Sequence, residues 1–172
     1  MLLKGKAHIF GSDVNTDDII ASKYKSSTTD MLEMSRYLMG NIDPDFVRRI
    51  APGDFIAAGS NFGCGSSRET APRVIKLAGL SAVLAKGFAR IFFRNAINIG
   101  LPVVECDTGG IEDGDQLEVD LTAGLVRNIT RGTDVKVAPL PAVMLELLSD
   151  GGLSEHFKKH GTFHLKSIDE GN

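Results

Sequence analysis

The sequence predicts a mixed α/β layer structure, with a mixed sheet and flanking helices. Two observations support this fold class. Short apolar runs typical of strands alternate with segments whose apolar residues recur at helical spacing. A late pair of alternating segments, residues 116–120 and 125–129, flanks Thr122-Ala123-Gly124 and predicts a β-hairpin.

The first half of the chain begins with a predicted strand at residues 4–10, which ends at the turn Gly11-Ser12-Asp13. The polar residues 22–29 predict a loop. Asp30 has the side chain of a helix cap, so we expect a helix from there to residue 39. Asp43-Pro44-Asp45 predicts the start of a short helical turn.

The second half continues the alternation of strands and helices. We expect strand 55–58, helix 68–79, strand 81–85, helix 89–98, strand 102–106 and, after the hairpin, a core helix 140–148. Gly151-Gly152 is expected to end that last helix, because glycine adopts the left-handed conformation common just beyond helix ends.

Length and charge limit the possible functions. A chain of 172 residues fits one domain with a substantial core. The net charge of −3 gives no electrostatic attraction to nucleic acid. No apolar run approaches the roughly 20 residues that span a membrane, and the start Met1-Leu2-Leu3-Lys4 lacks the apolar region of a signal peptide. We therefore expect a soluble cytoplasmic protein.

The glycine loop, residues 59–69, carries the strongest functional signal. It connects a predicted strand to a predicted helix and contains Gly59, Gly63 and Gly65, which allow close approach of the backbone to a ligand. A helix N-terminus attracts anions, and Arg68 adds a planar fork that matches a carboxylate. The loop is therefore expected to bind a small carboxylate.

Two other glycine loops are excluded by the residues present. A phosphate-binding P-loop requires a lysine after the glycines, and none follows here. A dinucleotide fingerprint requires Gly or Ala where Arg68 stands. The alternative that remains is a plain connection whose serines cap the helix, although a cap would not need Arg68.

Three motifs give the chain a family resemblance. Residues 63–69, Gly-Cys-Gly-Ser-Ser-Arg-Glu, resemble the signature of the aconitase swivel domain, in the form found in small subunits of 3-isopropylmalate dehydratase. Residues 15–20 resemble the first motif of that family, and residues 86–95 with 98–102 resemble its third. The resemblance implies a swivelling β/β/α domain over residues 1–165, followed by a tail at 166–172.

The resemblance also implies an activity. The family members are hydro-lyases that isomerise a hydroxy-dicarboxylate by dehydration and rehydration, and 3-isopropylmalate dehydratase does so in leucine biosynthesis. The alternatives are the small subunit of a homoaconitase or of a methyl-substituted malate dehydratase. A stand-alone anion-binding module, which would use the same loop only as a receptor, is a further alternative.

The cysteine count has a consequence for the cofactor. Aconitase-type chemistry uses a [4Fe–4S] cluster, which several thiolates must hold, and this chain has only Cys64 and Cys106. The resemblance therefore implies a separate large subunit that carries the cluster, while this chain binds no cofactor. Cys64 lies beside a predicted helix N-terminus, where a thiolate would be stabilised, but we interpret it as a small loop residue.

By resemblance, Ser66 is the catalytic residue that takes and returns the carbon-bound proton. Backbone N–H groups near Gly63 and Gly65 and the helix dipole would stabilise its alkoxide. Ser67 and Arg68 are expected to bind a substrate carboxylate.

The remaining residues of these motifs are expected to support the site. Glu69 would hold Arg68 or favour the first helical turn, and Asp17 would act from a turn whose side chains bond local backbone. Thr70 stands where the family usually has histidine.

Substrate choice is expected to depend on the segment after the first motif. Tyr24 keeps its family position, but Lys25 replaces the leucine of the family and Ser26, followed by Ser27, stands where the family has an arginine or an apolar residue. These four residues are predicted to bind substrate, and their polarity favours an acid smaller or more polar than isopropylmalate.

Three histidines near the C-terminus share a four-residue spacing, His156, His160 and His164. The spacing imitates a metal-binding helix face. Gly161 should end such a helix directly after His160, so we expect solvated histidines and no metal site.

Overall fold

The computed structural model describes residues 1–66 and 69–161, except for the side chains of residues 25–27. Within these residues the elements are, in chain order, β1 (Leu2–Ile9), α1 (Thr16–Ile19), α2 (Ser22–Ser27), α3 (Met31–Ser35), α4 (Phe46–Arg49), β2 (Phe55–Ala58), α5 (Thr70–Leu77), β3 (Ala82–Ala85), α6 (Arg90–Ile99), β4 (Val103–Glu105), β5 (Gln116–Asp120), β6 (Leu125–Asn128), β7 (Thr133–Lys136), α7 (Ala142–Ser149) and α8 (Leu153–His160).

Strand β1 joins the two halves of the sheet, whose order is β4-β3-β2-β1-β5-β6-β7. Residues 7–9 of β1 pair in parallel with β2, and residues 2–6 pair antiparallel with β5. On one side β2, β3 and β4 are parallel, and on the other β5, β6 and β7 are antiparallel. The mixed sheet with helices between its parallel strands confirms the predicted α/β class.

The parallel strands form the centre of the core. All four residues of β2 and all four of β3 are buried, as expected for strands covered on both faces. Helices α5 and α6 make the crossovers from β2 to β3 and from β3 to β4. Helix α5 contacts α3, and α6 contacts α5, α7 and α8. No helix among the described residues is long and apolar enough to cross a membrane.

Several predicted boundaries differ from the structure. Residues 22–29 were expected to form a loop, but Ser22–Ser27 form α2, whose Tyr24 ring stacks on Tyr37. The helix capped by Asp30 ends at Ser35, and α5 begins at Thr70. Elements α1 and β7 were not predicted, and α8 was considered only through its histidine spacing and its end at Gly161. The expected domain end at residue 165 and the tail 166–172 lie outside the described residues.

A buried carboxylate fixes the beginning of β2. Asp54 is 4% exposed, and its Oδ2 lies 2.8 Å from His8 Nε2. It also accepts the N–H groups of Lys6 and Ala51, at 3.0 and 2.9 Å. Burial alone would raise the pKa of Asp54, but these hydrogen bonds outweigh it and lower that pKa.

We expect Asp54→Asn to lower the free energy of unfolding by about 3 kcal/mol, because an amide donates where His8 and two N–H groups need an acceptor. Urea denaturation at pH 7 measures this loss. Asp45→Asn is the control. Asp45 pairs with Arg48 at the surface, and such an exposed ion pair contributes only about 0–1 kcal/mol to the free energy of unfolding.

The same pair sets the pH dependence of this contribution. Because the pKa of Asp54 is lowered in the folded state, its stabilisation is present at neutral pH and is lost as the pH falls through that lowered pKa. The difference between wild type and Asp54→Asn should therefore shrink in acid. An equal difference at every pH would contradict this assignment.

Candidate functional site

Three loops meet at one edge of the parallel sheet. They follow the carboxyl ends of β1, β2 and β3, which are neighbours in the sheet. Ligands of open α/β sheets bind at this edge. The three motifs singled out in the sequence begin in these loops, so residues as far apart along the chain as Thr16 and Ser66, 50 positions, become adjacent.

Backbone hydrogen bonds join the glycine loop to the loop after β1. The N–H groups of Asp13, Gly63 and Thr16 donate to the carbonyls of Ser60, Val14 and Cys64, respectively, each at 2.8 Å. Asn61, in the left-handed conformation, donates its side-chain amide to Asp13 Oδ1 at 2.8 Å. The loop after β1 and the glycine loop therefore lie side by side and are joined by backbone hydrogen bonds, much as two neighbouring strands are.

The opposite side of the glycine loop is joined to the loop after β3. Phe62 donates its N–H to the carbonyl of Gly87 at 3.0 Å and accepts the N–H of Ala89 at 2.9 Å. Its ring is fully buried and packs edge-on against Phe92 at 5.2 Å between centroids. The third motif thus supplies both a backbone partner and a packing surface.

Two glycines of the loop are required by their conformation and surroundings. Gly63 has φ +77°, and a Cβ there would lie 2.2 Å from Cγ of Phe92. Gly65 has φ +98°, and a Cβ there would lie 3.2 Å from Thr16 Oγ1. Both positions allow the loop to approach its neighbours closely.

Ser66, the predicted catalytic residue, lies against a buried hydroxyl. Its N–H donates to Thr16 Oγ1 at 3.2 Å, and its Oγ is also 3.2 Å from Thr16 Oγ1. Thr16 is 3% exposed, whereas Ser66 is exposed at the edge of the sheet. The sequence analysis did not assign a role to Thr16, because nothing in a single sequence shows which residue pairs with Ser66.

The first motif forms a capping box at the start of α1. Asn15 Oδ1 accepts the N–H groups of Asp17 and Asp18, and Asp18 Oδ2 accepts the N–H of Asn15. Asp17 also accepts the Ser22 hydroxyl at 2.6 Å and offers its carbonyl to the Asn41 amide. The prediction that these side chains bond local backbone is confirmed for Asn15 and Asp18, whereas Asp17 accepts a side-chain hydroxyl and Thr16 bonds the distant Ser66.

Glu69 lies at the start of α5, and the contact with Arg68 that the sequence predicts for it falls outside the described residues. It precedes α5 without capping it, and its described side-chain partner is Arg73, one turn further on. Ser67 and Arg68 lie outside the described residues, as do the side chains of Lys25, Ser26 and Ser27.

The cysteines do not behave as activated thiols. Burial and the charge of Asp13 raise the pKa of Cys64. The expectation that a helix N-terminus stabilises the Cys64 thiolate is therefore wrong. Burial and Asp107 raise the pKa of Cys106 to about 12. Cluster ligands must be thiolates, so two thiols in these environments do not fit a [4Fe–4S] cluster held by this chain.

The C-terminal histidines also differ from expectation. His156 is 1% exposed and lies 2.8 Å from Asp150, so the expectation of a solvated side chain is wrong for it. His160 is 30% exposed. Gly161 adopts the left-handed conformation and ends α8, as predicted. His164 lies outside the described residues.

The mixed sheet and the glycine loop between two partner loops define an aconitase-type swivel domain, and comparison with known proteins agrees. The family model described as the aconitase C-terminal domain matches residues 17–108. Small subunit 2 of 3-isopropylmalate dehydratase from Archaeoglobus fulgidus is 53% identical over 165 residues, covering 96% of this chain and 100% of that protein. The small subunit from Caldicellulosiruptor bescii is 49% identical, with 92% and 96% covered.

A solved structure supports the same relationship. The crystal structure of 3-isopropylmalate dehydratase from Methanocaldococcus jannaschii has a TM-score of 0.89 and 45% identity, and the match covers 94% of this chain and 96% of that one. The chain belongs to the family of 3-isopropylmalate dehydratase small subunits.

We expect Gly63→Ala to destabilise the glycine loop, because alanine must adopt a strained φ and would collide with Phe92. The strain should cost at least about 1–3 kcal/mol in the free energy of unfolding, measured by urea denaturation. Gly11→Ala is the matched control, since a Cβ at Gly11 meets no atom within 4 Å. Equal stability of the two variants would show that the loop adapts freely.

Proposed function

We propose that this chain is the small subunit of 3-isopropylmalate dehydratase. In this function it contributes half of an active site that isomerises a hydroxy-dicarboxylate by removing and restoring water. The observation that carries the proposal is the Ser66–Thr16 pair at the carboxyl edge of the sheet, in a chain 53% identical to such a subunit over nearly its full length. As a subunit of 3-isopropylmalate dehydratase, the chain would act in leucine biosynthesis.

Ser66 is assigned the transfer of the carbon-bound proton. A serine hydroxyl becomes a base only if its alkoxide is stabilised. Thr16 Oγ1 accepts the N–H of Ser66, and a hydroxyl that accepts in this way retains one proton to donate. We assign that proton to Ser66 Oγ, 3.2 Å away, so Thr16 both fixes the serine and stabilises its charged form.

Substrate binding is assigned to the remaining residues of the motifs. Arg68 would clamp a substrate carboxylate with two parallel hydrogen bonds, and Ser67 would donate a third. Asp17, Gly63, Gly65 and Glu69 support the site, Gly63 and Gly65 by letting the loop approach its neighbours and Glu69 at the start of α5. Tyr24, stacked on Tyr37 at 4.1 Å between ring centroids, would present Lys25, Ser26 and Ser27 to the variable part of the substrate.

The cofactor and partner are proposed from the same relationship. A large subunit would carry a [4Fe–4S] cluster, which supplies a Lewis acid for the leaving hydroxyl. This chain does not fit the role of holding the cluster, because it has only two thiols and the pKa of each is raised. Both cysteines are free thiols, which supports a reducing compartment and hence a cytoplasmic location.

One observation favours a second candidate substrate. The sequence of α2, Ser-Lys-Tyr-Lys-Ser-Ser, offers no apolar wall for an isopropyl group. A homoaconitase-type or methyl-substituted malate substrate would suit such a segment. The reaction class and the role of Ser66 are the same for both substrates.

We expect activity only when the purified chain is combined with the cluster-loaded large subunit from the same organism. Assays should follow formation of the unsaturated intermediate from isopropylmalate, methylmalates and homocitrate-type acids. Ser66→Ala should reduce kcat at least about 100-fold with substrate binding retained, because the hydroxyl acts on the proton in transfer. Ser60→Ala, in the same loop, is the control.

Two outcomes would contradict the proposal. Turnover by this chain alone would show that it is not half of a site. Binding of dicarboxylates without turnover in any complex would favour the stand-alone anion-binding module.

We expect Thr16→Val to lower kcat about tenfold or more with little change in KM, because the donor to Ser66 Oγ is lost while the shape is kept. Thr16→Ser restores the hydroxyl and should recover most of the activity. If Thr16→Val and Thr16→Ser have the same kcat, the threonine only packs.

A further inference from the structure

The corner between α7 and α8 brings together four side chains that can ligate metal. Glu146 lies on α7, Asp150 follows the last residue of that helix, and His156 and His160 lie one turn apart on α8. One ligand atom from each lies within 4.8 Å of the other three. None of these residues belongs to the dehydratase site.

The two imidazoles converge on a single oxygen. His156 Nδ1 lies 2.8 Å and His160 Nε2 lies 2.9 Å from Asp150 Oδ2. The side chains of Asp150 and His156 are only 4% and 1% exposed. The other oxygen, Oδ1, accepts Lys159 Nζ at 2.5 Å. A cation that replaces these two hydrogen bonds would be held by Oδ2 and by the two imidazole nitrogens that now meet it.

We propose that Glu146, Asp150, His156 and His160 bind one divalent transition-metal ion of the zinc class. Glu146 and Asp150, at the end of α7, and His156 and His160, on α8, each have four-residue spacing, which puts both members of a pair on one face. Two imidazoles with two carboxylates suit Zn²⁺, whereas Mg²⁺ and Ca²⁺ prefer oxygen ligands alone. The two carboxylates supply negative charge to the ion, part of which Lys159 already offsets at Asp150.

The surroundings of Asp150 fit this assignment. A carboxylate that ligates a metal is normally oriented by a second hydrogen bond, and Lys159 makes that bond to Oδ1. The sequence analysis rejected a metal site because it considered only the histidines and the end of α8 at Gly161. The carboxylates come from the preceding helix, which the histidine spacing does not reveal.

The ion would fasten α8 to α7. The turn between these helices is also held by Lys76, whose Nζ donates to the carbonyls of Gly151 at 2.9 Å and Ile99 at 2.6 Å. A ligand that binds only the folded state raises its stability. Metal binding at the corner should therefore raise the melting temperature, whether or not the chain is a dehydratase subunit.

The test is titration of the chelator-treated full chain with Zn²⁺ in competition with a chromogenic chelator. We expect one ion per chain, a higher melting temperature, and visible absorption of four-coordinate Co²⁺ when Co²⁺ replaces Zn²⁺. His160→Gln and Glu146→Gln should each weaken Zn²⁺ binding at least about tenfold. Both positions are at least partly exposed, so both variants should fold, which circular dichroism checks.

Glu155→Gln is the matched control, because Glu155 is an exposed carboxylate on the same helix that pairs with Lys158. It should bind Zn²⁺ as wild type does. The proposal is overturned if the wild-type chain takes up no Zn²⁺, or if His160→Gln and Glu146→Gln both bind it as tightly as Glu155→Gln. In that case Asp150 is only a hydrogen-bonding centre for its two histidines and Lys159.

Discussion

The geometry of the candidate site depends on the backbone hydrogen bonds that hold the glycine loop between two other loops. On one side the loop exchanges bonds with residues 13–16, and on the other with residues 87–89. The loop therefore extends the parallel sheet beyond the ends of β1, β2 and β3 without belonging to a strand. Because both sides of its backbone are engaged, main-chain atoms fix the loop as far as Cys64, and the buried Thr16 hydroxyl then holds Ser66.

This constraint explains the composition of the motifs. A segment with neighbours on both sides has little room for side chains, so glycine stands where Phe92 and Thr16 approach. Phe62 is the exception, and its ring fills the space under the loop against Phe92 and Phe88. Among the described polar residues of the loop, Ser66 is exposed at this edge of the sheet.

The sequence predicted the parts of the fold that depend on local patterns. β2 and β3 are continuous apolar runs, and such runs have few other interpretations between glycine-rich turns. α2 has no apolar periodicity and is helical in a tertiary setting where Tyr24 stacks on Tyr37. β7 alternates weakly and owes its place to pairing with β6. The secondary structure of α2 and β7 therefore depends on tertiary contacts, which a local sequence pattern does not show.

The candidate site shows the same division. The glycine loop could be located after β2 from its residue types alone, and the capping box at Asn15 follows a local rule. The contact between Thr16 and Ser66 joins residues 50 positions apart, and neither residue type indicates the other. The cluster around Asp150 was missed for a related reason, since its ligands come from two helices and only one pair shows the familiar histidine spacing.

Lys76 connects the helix that follows the glycine loop to the corner between α7 and α8. Helix α5 starts directly after the glycine loop, and in its last turn Lys76 donates to the carbonyls of Ile99 and Gly151, at the end of α6 and at the α7–α8 corner. Burial lowers the pKa of this amine, while the charge of Glu155 opposes that shift. The corner is thus attached to the far end of α5, whereas the glycine loop is held by β1 and β3 through their loops. A change at the corner should therefore alter the stability of the helical layer more than the position of Ser66.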